Sequence, residues 1–168
     1  MTFATVSEMV QALKPCADVT TDQVRVTGVV PGEIVDRLAY TAAFGETPEL
    51  KGTARWIIRS LAAAAGIVPA SIHDLYMAMG RGEVSGFTVP AVNIRMSAYL
   101  TARAAFRAVS ALKVGAIIFE IARSEIGYTE QRPAEYSAMI TAAALREGFT
   151  GPLFIQADHV QVNAKKYA

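Results

Sequence analysis

At 168 residues, with 52% hydrophobic and 18% charged side chains, the chain falls in the range of globular proteins and is long enough to bury one core. Its 16 basic and 15 acidic residues leave a formal net charge of +1, which gives no electrostatic footprint for nucleic acid. The most apolar stretch, around Leu61 to Pro69, is alanine-rich and follows Arg55 and Arg59, so it falls short of the roughly 20 residues of a membrane span.

The single cysteine, Cys16, has no intrachain disulfide partner and no second thiol for a metal-binding pair. Glu8 interrupts the first apolar segment, so the N-terminus lacks the apolar core of a signal peptide. The lone cysteine points to a reducing cytoplasm, nothing targets the chain for export, and the charge balance predicts no nucleic-acid or membrane partner.

Residues 1–85 read as a mainly helical segment and residues 86–168 as strand alternating with helix. Ser7 is placed to cap a short helix whose Met9, Val10 and Leu13 form an apolar stripe ending before Pro15. Val24 to Val30 is a β-branched run stopped by Pro31 and Gly32. From Thr53 to Ala65, Trp56, Ile57, Ser60, Leu61 and Ala64 recur at helical spacing, and Gly66 is placed to end that helix. Ser71 and Asp74 open another short helix, Leu75 to Met79, closed by Gly80 and Gly82.

Phe87 to Asn93 fits a short buried strand with an unusual internal Pro90. Ser97 is expected to cap a helix running to Leu112, with Arg103 and Arg107 on its wet side. Gly115 to Ile121 is apolar without alternation, as in a parallel strand covered on both faces, and Arg123, Ser124, Glu125 and Gly127 follow in its exit loop. Pro133 starts a helix that closes near Gly148, and Leu153 to Asp158 is a third strand. The order β-α-β-α-β predicts a parallel sheet whose strands end on one rim.

Three strand ends bring polar groups to that rim: Asn93, then Arg123, Ser124 and Glu125, then Asp158 and His159. A carboxylic acid beside an imidazole can supply a proton-transfer group and a metal ligand, provided that the strand ends between them so that both face one pocket. Equally, Asp158 could satisfy loop amides and His159 could be an ordinary rim residue. Asn93 taken alone could cap a loop. Arg123 could clamp a phosphate with its planar fork or form a surface ion pair with Glu125. Glu120, inside an apolar strand, is expected either to face a polar interior or to pair with Arg123 or Arg95. His73 reads as a helix-surface residue.

Pro90-Ala-Val-Asn93 after a Phe-Thr-Val strand, an Ile-Ile-Phe strand about 25 residues on, and Phe-Ile-Gln-Ala-Asp158-His159 together resemble the start of the class II, zinc-dependent fructose/tagatose-bisphosphate aldolases. The likeness covers about residues 84 to 163, and the ordered set carries it. Glu120, Ser124, Gly127-Tyr-Thr129 and Asn163 are closer to the accessory subunit of tagatose-bisphosphate aldolase, which shares the barrel and supports a separate catalytic partner.

The resemblance implies an α/β fold, the N-terminal portion of a TIM barrel behind the helical segment. It also implies His159 as a Zn2+ ligand, Asp158 as the proton-transfer acid, Asn93 in the substrate pocket, and Ser124 and Arg123 as substrate-binding candidates. The reaction implied is reversible cleavage of a ketose bisphosphate into dihydroxyacetone phosphate and an aldehyde. The partners expected are a sugar phosphate and, in the full-length protein, further copies of itself. The loop after the second strand, Ala122 to Gly127, departs from the family's Ser-x-Gly-Gly-like pattern, and Val160 replaces the small residue that commonly follows Asp-His. A catalytic zinc needs about three protein ligands and a barrel eight strands, so the chain reads as truncated, inactive and weakly metal-binding by itself.

Overall fold

The computed structural model describes residues 1–160. Its elements, in chain order, are α1 (Val6–Leu13), β1 (Ala17–Val19), β2 (Val24–Val26), α2 (Gly32–Phe44), α3 (Pro48–Ala64), β3 (Ile67–Ala70), α4 (His73–Gly80), β4 (Ala91–Asn93), α5 (Ala98–Leu112), β5 (Ile118–Ala122), α6 (Arg123–Thr129), α7 (Pro133–Arg146) and β6 (Gly151–Asp158).

Local chemistry accounts for several boundaries. Thr5, two residues earlier than the expected Ser7, caps α1 by accepting the Glu8 N–H at 3.1 Å. The apolar run at Val24 pairs as a short antiparallel hairpin, β1 with β2. Thr47 caps α3 and Pro48 occupies its first turn, so that helix starts before the predicted Thr53. Pro90 lacks a ladder N–H, and β4 begins only after it, at Ala91. Ser97 does stand at the start of α5, but in the left-handed conformation (φ 50°) and without a side-chain cap hydrogen bond.

Four strands, one more than the sequence indicates, form a parallel sheet in the order β3-β6-β5-β4. The addition is β3, which lies inside the segment read as helical. It is hidden there because its four residues, two of them Pro69 and Ala70, carry no period-two pattern. The later strands lie side by side, and β3 flanks β6 on its other side. The architecture is α/β with a parallel sheet.

The helices supply most of the core. α7 packs against α2, α3 and α5, and its run Ala142, Ala143 and Ala144 is fully buried, so neighbouring backbones approach closely. Phe106 on α5 meets Phe119 on β5 and Phe149 after α7 with ring centroids 5.0 and 5.1 Å apart. Residues from α1, α2 and α3 join the same cluster of buried side chains as those from α5, α7 and the sheet.

Arg103, expected on the wet side of α5, is instead four-fifths buried. It donates to Glu147 and Asp36, and Asp36 also accepts from Tyr99 and Arg146, tying α2 to α5 and α7. Gly32 permits this arrangement, because a Cβ there would lie 2.6 Å from the Arg146 guanidinium carbon.

On the sheet, alternation sends Phe119, Ile121 and Leu153 into the core. The alternate residues Val68, Ala70, Pro152 and Gln156 are exposed on the opposite face, beside the half-buried Glu120 and Phe154. No helix among the described residues is long and apolar enough to cross a membrane.

Candidate functional site at the carboxyl ends of the strands

Because β4, β5 and β6 run parallel, their carboxyl ends share one rim. The register sets Asn93 beside Glu120 and Glu120 beside Gln156, with Ala122 beside Asp158 one step further. One row across three strands is therefore polar. Gln156 donates its side-chain N–H to Glu120 in a short hydrogen bond, and this places Glu120 on the open face with a neutral partner. Arg95, one of the two arginines considered for it from the sequence, pairs with Glu125 instead.

β6 ends at Asp158, and His159 takes the left-handed conformation (φ 51°). That turn meets the condition for both side chains to reach one place. The His159 imidazole Nδ1 lies 2.7 Å from Asp158 Oδ2, with His159 79% exposed and Asp158 30% exposed. The carboxylate sits against Nδ1, and Nε2 is the nitrogen left to meet a ligand.

The centre of the rim is Glu125, which the sequence places among the rim's polar groups with no role beyond a possible surface ion pair with Arg123. Glu125 is 4% exposed, although it lies in what reads as an exit loop. That stretch is instead the short helix α6, with Glu125 in its first turn. Its carboxylate accepts the Ala122 backbone N–H at 3.0 Å, the Asn93 side-chain amide at 3.2 and 3.3 Å, and Arg95 Nε at 2.7 Å. The bond to Ala122 is half of a capping box, since alanine has no oxygen to reciprocate.

Burial raises the Glu125 pKa, but the donated hydrogen bonds from Ala122, Arg95 and Asn93 outweigh it, and the carboxyl titrates below its ordinary value. The same bond raises the Arg95 pKa. Glu125 is therefore an ionised carboxylate held by donors from β4 and β5. It could have been found from sequence as an acidic residue at the third helical position after a strand, had the loop been read as a helix.

Among the other candidates, Asn93 stands at the rim with its amide committed to Glu125. Arg123 and Ser124 occupy the first turn of α6 and are both exposed. The rim therefore gathers Asn93, Arg95, Glu125, Asp158 and His159 around the ends of consecutive parallel strands. Asn163 and the rest of residues 161–168 lie outside the described residues.

The chain matches no family model, no curated protein and no solved structure.

The zinc that the resemblance implies would need a gathered donor set. Among the described residues no three His, Cys, Asp or Glu side chains are gathered to hold a metal ion. His159 offers Nε2, whereas Glu125 spends its oxygens on Asn93, Arg95 and Ala122. The described residues thus fall short of the roughly three protein ligands of a catalytic zinc.

Proposed function

We propose that the rim is a sugar-phosphate site and that the protein belongs to the aldolase kind of carbon–carbon lyase, cleaving a ketose bisphosphate to dihydroxyacetone phosphate and an aldehyde. The observation that carries the reading is the Asp158–His159 pair. It stands at the end of a parallel strand, its two members are 2.7 Å apart, and the chain turns between them.

Retro-aldol cleavage begins when a base takes the proton from the hydroxyl on C4, whose oxygen becomes the aldehyde carbonyl as the C3–C4 bond breaks. The electron pair released by the C3–C4 bond then passes to the carbonyl, giving an enediolate that is protonated at carbon. Asp158, half-buried and beside the His159 imidazole, suits the first transfer and its reversal. The N-terminal portion of a TIM barrel is the finer fold within this proposal. The side-by-side order of β4, β5 and β6 supports it, and β3 beside β6 is the element that such a barrel would have to accommodate.

A second reading, a non-catalytic barrel subunit supporting an aldolase partner, draws on the metal-donor shortfall and on the internal use of Asn93 and Glu125. The test is release of dihydroxyacetone phosphate from fructose and tagatose bisphosphates, with and without added Zn2+, by the wild-type protein and by Asp158→Asn. Release that drops at least about a hundredfold in the variant fits the loss of a proton-transfer group. Release unaffected by the variant refutes the assignment. No release from the protein alone, with turnover appearing when a partner is added, favours the subunit.

A further inference from the structure

Arg95 is an exposed cation held by a buried anchor. It follows Asn93 by two residues at the end of β4, and its side chain is 64% exposed although its Nε is bound at 2.7 Å to Glu125, whose side chain is 5% exposed. An ordinary surface ion pair leaves both partners mobile and contributes little. Here the carboxylate is immobilised from three sides by Ala122, Asn93 and Arg95, so the arginine is aimed.

The bond uses Nε alone. Among the described residues the two terminal nitrogens of Arg95 make no hydrogen bond, and their N–H groups form the edge of a guanidinium that matches a phosphoryl group bidentately. Both Glu125 oxygens are turned to the Arg95 Nε, the Asn93 amide and the Ala122 N–H, so the carboxylate does not face such an anion bare.

The position suits a ligand shared with the Asp158–His159 pair. β4 and β6 flank β5, so their ends are two strand spacings apart, roughly 10 Å. A phosphorylated ketose reacting at β6 can place a phosphoryl group over β4. We propose that Arg95 is the phosphoryl-binding residue of the rim, with Glu125 and Asn93 as the positioning residues that hold its fork toward the ligand. The assignment rests on the sugar-phosphate reading above and names where the phosphate goes. It differs from the sequence expectation, which gave that role to Arg123.

The test is a titration of the 15N-labelled protein with inorganic phosphate, following the arginine Nε–H resonances, on wild type, Arg95→Lys and Arg95→Gln. Lysine keeps the charge and loses the fork; it also guards against a glutamine variant that fails to fold. The expected result is a saturable shift of the Arg95 resonance. Binding should weaken at least about tenfold in Arg95→Lys, as for loss of one charge-assisted hydrogen bond, and more in Arg95→Gln. An Arg95 resonance that does not move, or unchanged phosphate affinity in a folded Arg95→Lys, overturns the proposal.

The aldolase reading fails separately. Phosphate bound at Arg95 without Asp158-dependent cleavage leaves the anion site standing and removes the reaction. Cleavage with an unaltered KM in Arg95→Lys removes the anion site and leaves the reaction.

Discussion

Tyr136 on α7 offers the most direct check of the packing beneath the rim. It is fully buried, and its hydroxyl has no hydrogen-bond partner among the described residues. The backbone of Ile94 comes near enough to lower its pKa, but the contact does not reach hydrogen-bond geometry. Burial is the larger influence and, with the charges of Glu125 and Glu120, drives the phenol well above its ordinary range.

A buried polar group left unsatisfied costs about 1–3 kcal/mol. Tyr136→Phe removes that cost and gives back only the packing of a single oxygen. The variant is therefore expected to be neutral to about 2 kcal/mol more stable, and a gain of about 1 kcal/mol raises Tm by about 2–4 °C in a chain of this size. Thermal unfolding followed by circular dichroism at neutral pH measures it. Destabilisation by about 1 kcal/mol or more would show that the hydroxyl is bonded in solution, and the account of Tyr136 would be wrong.

The sign for alkaline pH follows from the raised pKa. A phenol harder to ionise in the folded state gives stability that is complete below the unfolded value near 10 and is lost as pH rises toward the folded one. Wild type should lose stability above about pH 10 more steeply than Tyr136→Phe.

Other consequences are equally concrete. Glu125→Gln should lower Tm at neutral pH and flatten the acid limb, because a depressed carboxyl pKa gives stability present above the unfolded value near 4.5 and lost as pH falls below it; urea titrations at pH 3 to 7 report this, and parallel curves for variant and wild type would contradict it. Asp36→Ala strands the Tyr99 hydroxyl and removes an acceptor of Arg146 and one of the two of Arg103, at an expected cost of about 2–4 kcal/mol in chemical denaturation. Gly32→Ala displaces the Arg146 guanidinium and should cost about 1 kcal/mol, and much less in the Asp36→Ala background, since both changes break the same bond; full additivity in that double-mutant cycle would rule out the coupling.

Elements whose signals are local were legible in the sequence. The apolar stripe of α3, the Pro133 start of α7, the turn-forming Gly66, Gly82 and Gly148, and the β-α-β-α-β order all follow from spacing, ring constraint and backbone freedom within a few residues. So did the candidacy of Asn93 and Asp158–His159, since the carboxyl ends of parallel strands share a rim whatever the rest of the fold does.

What stayed hidden depends on partners distant in the chain. β3 becomes a strand because β6, more than 80 residues away, offers it a ladder. Arg103 is buried because α2 brings Asp36 to it across 67 positions. Glu125 matters because Asn93 and Arg95, about 30 residues earlier, meet it at the rim. The sequence determined which groups end each strand; only the tertiary structure decided which cation stands over a buried anion and which lies elsewhere, because a charge's role is set by the partners and solvent that folding leaves around it.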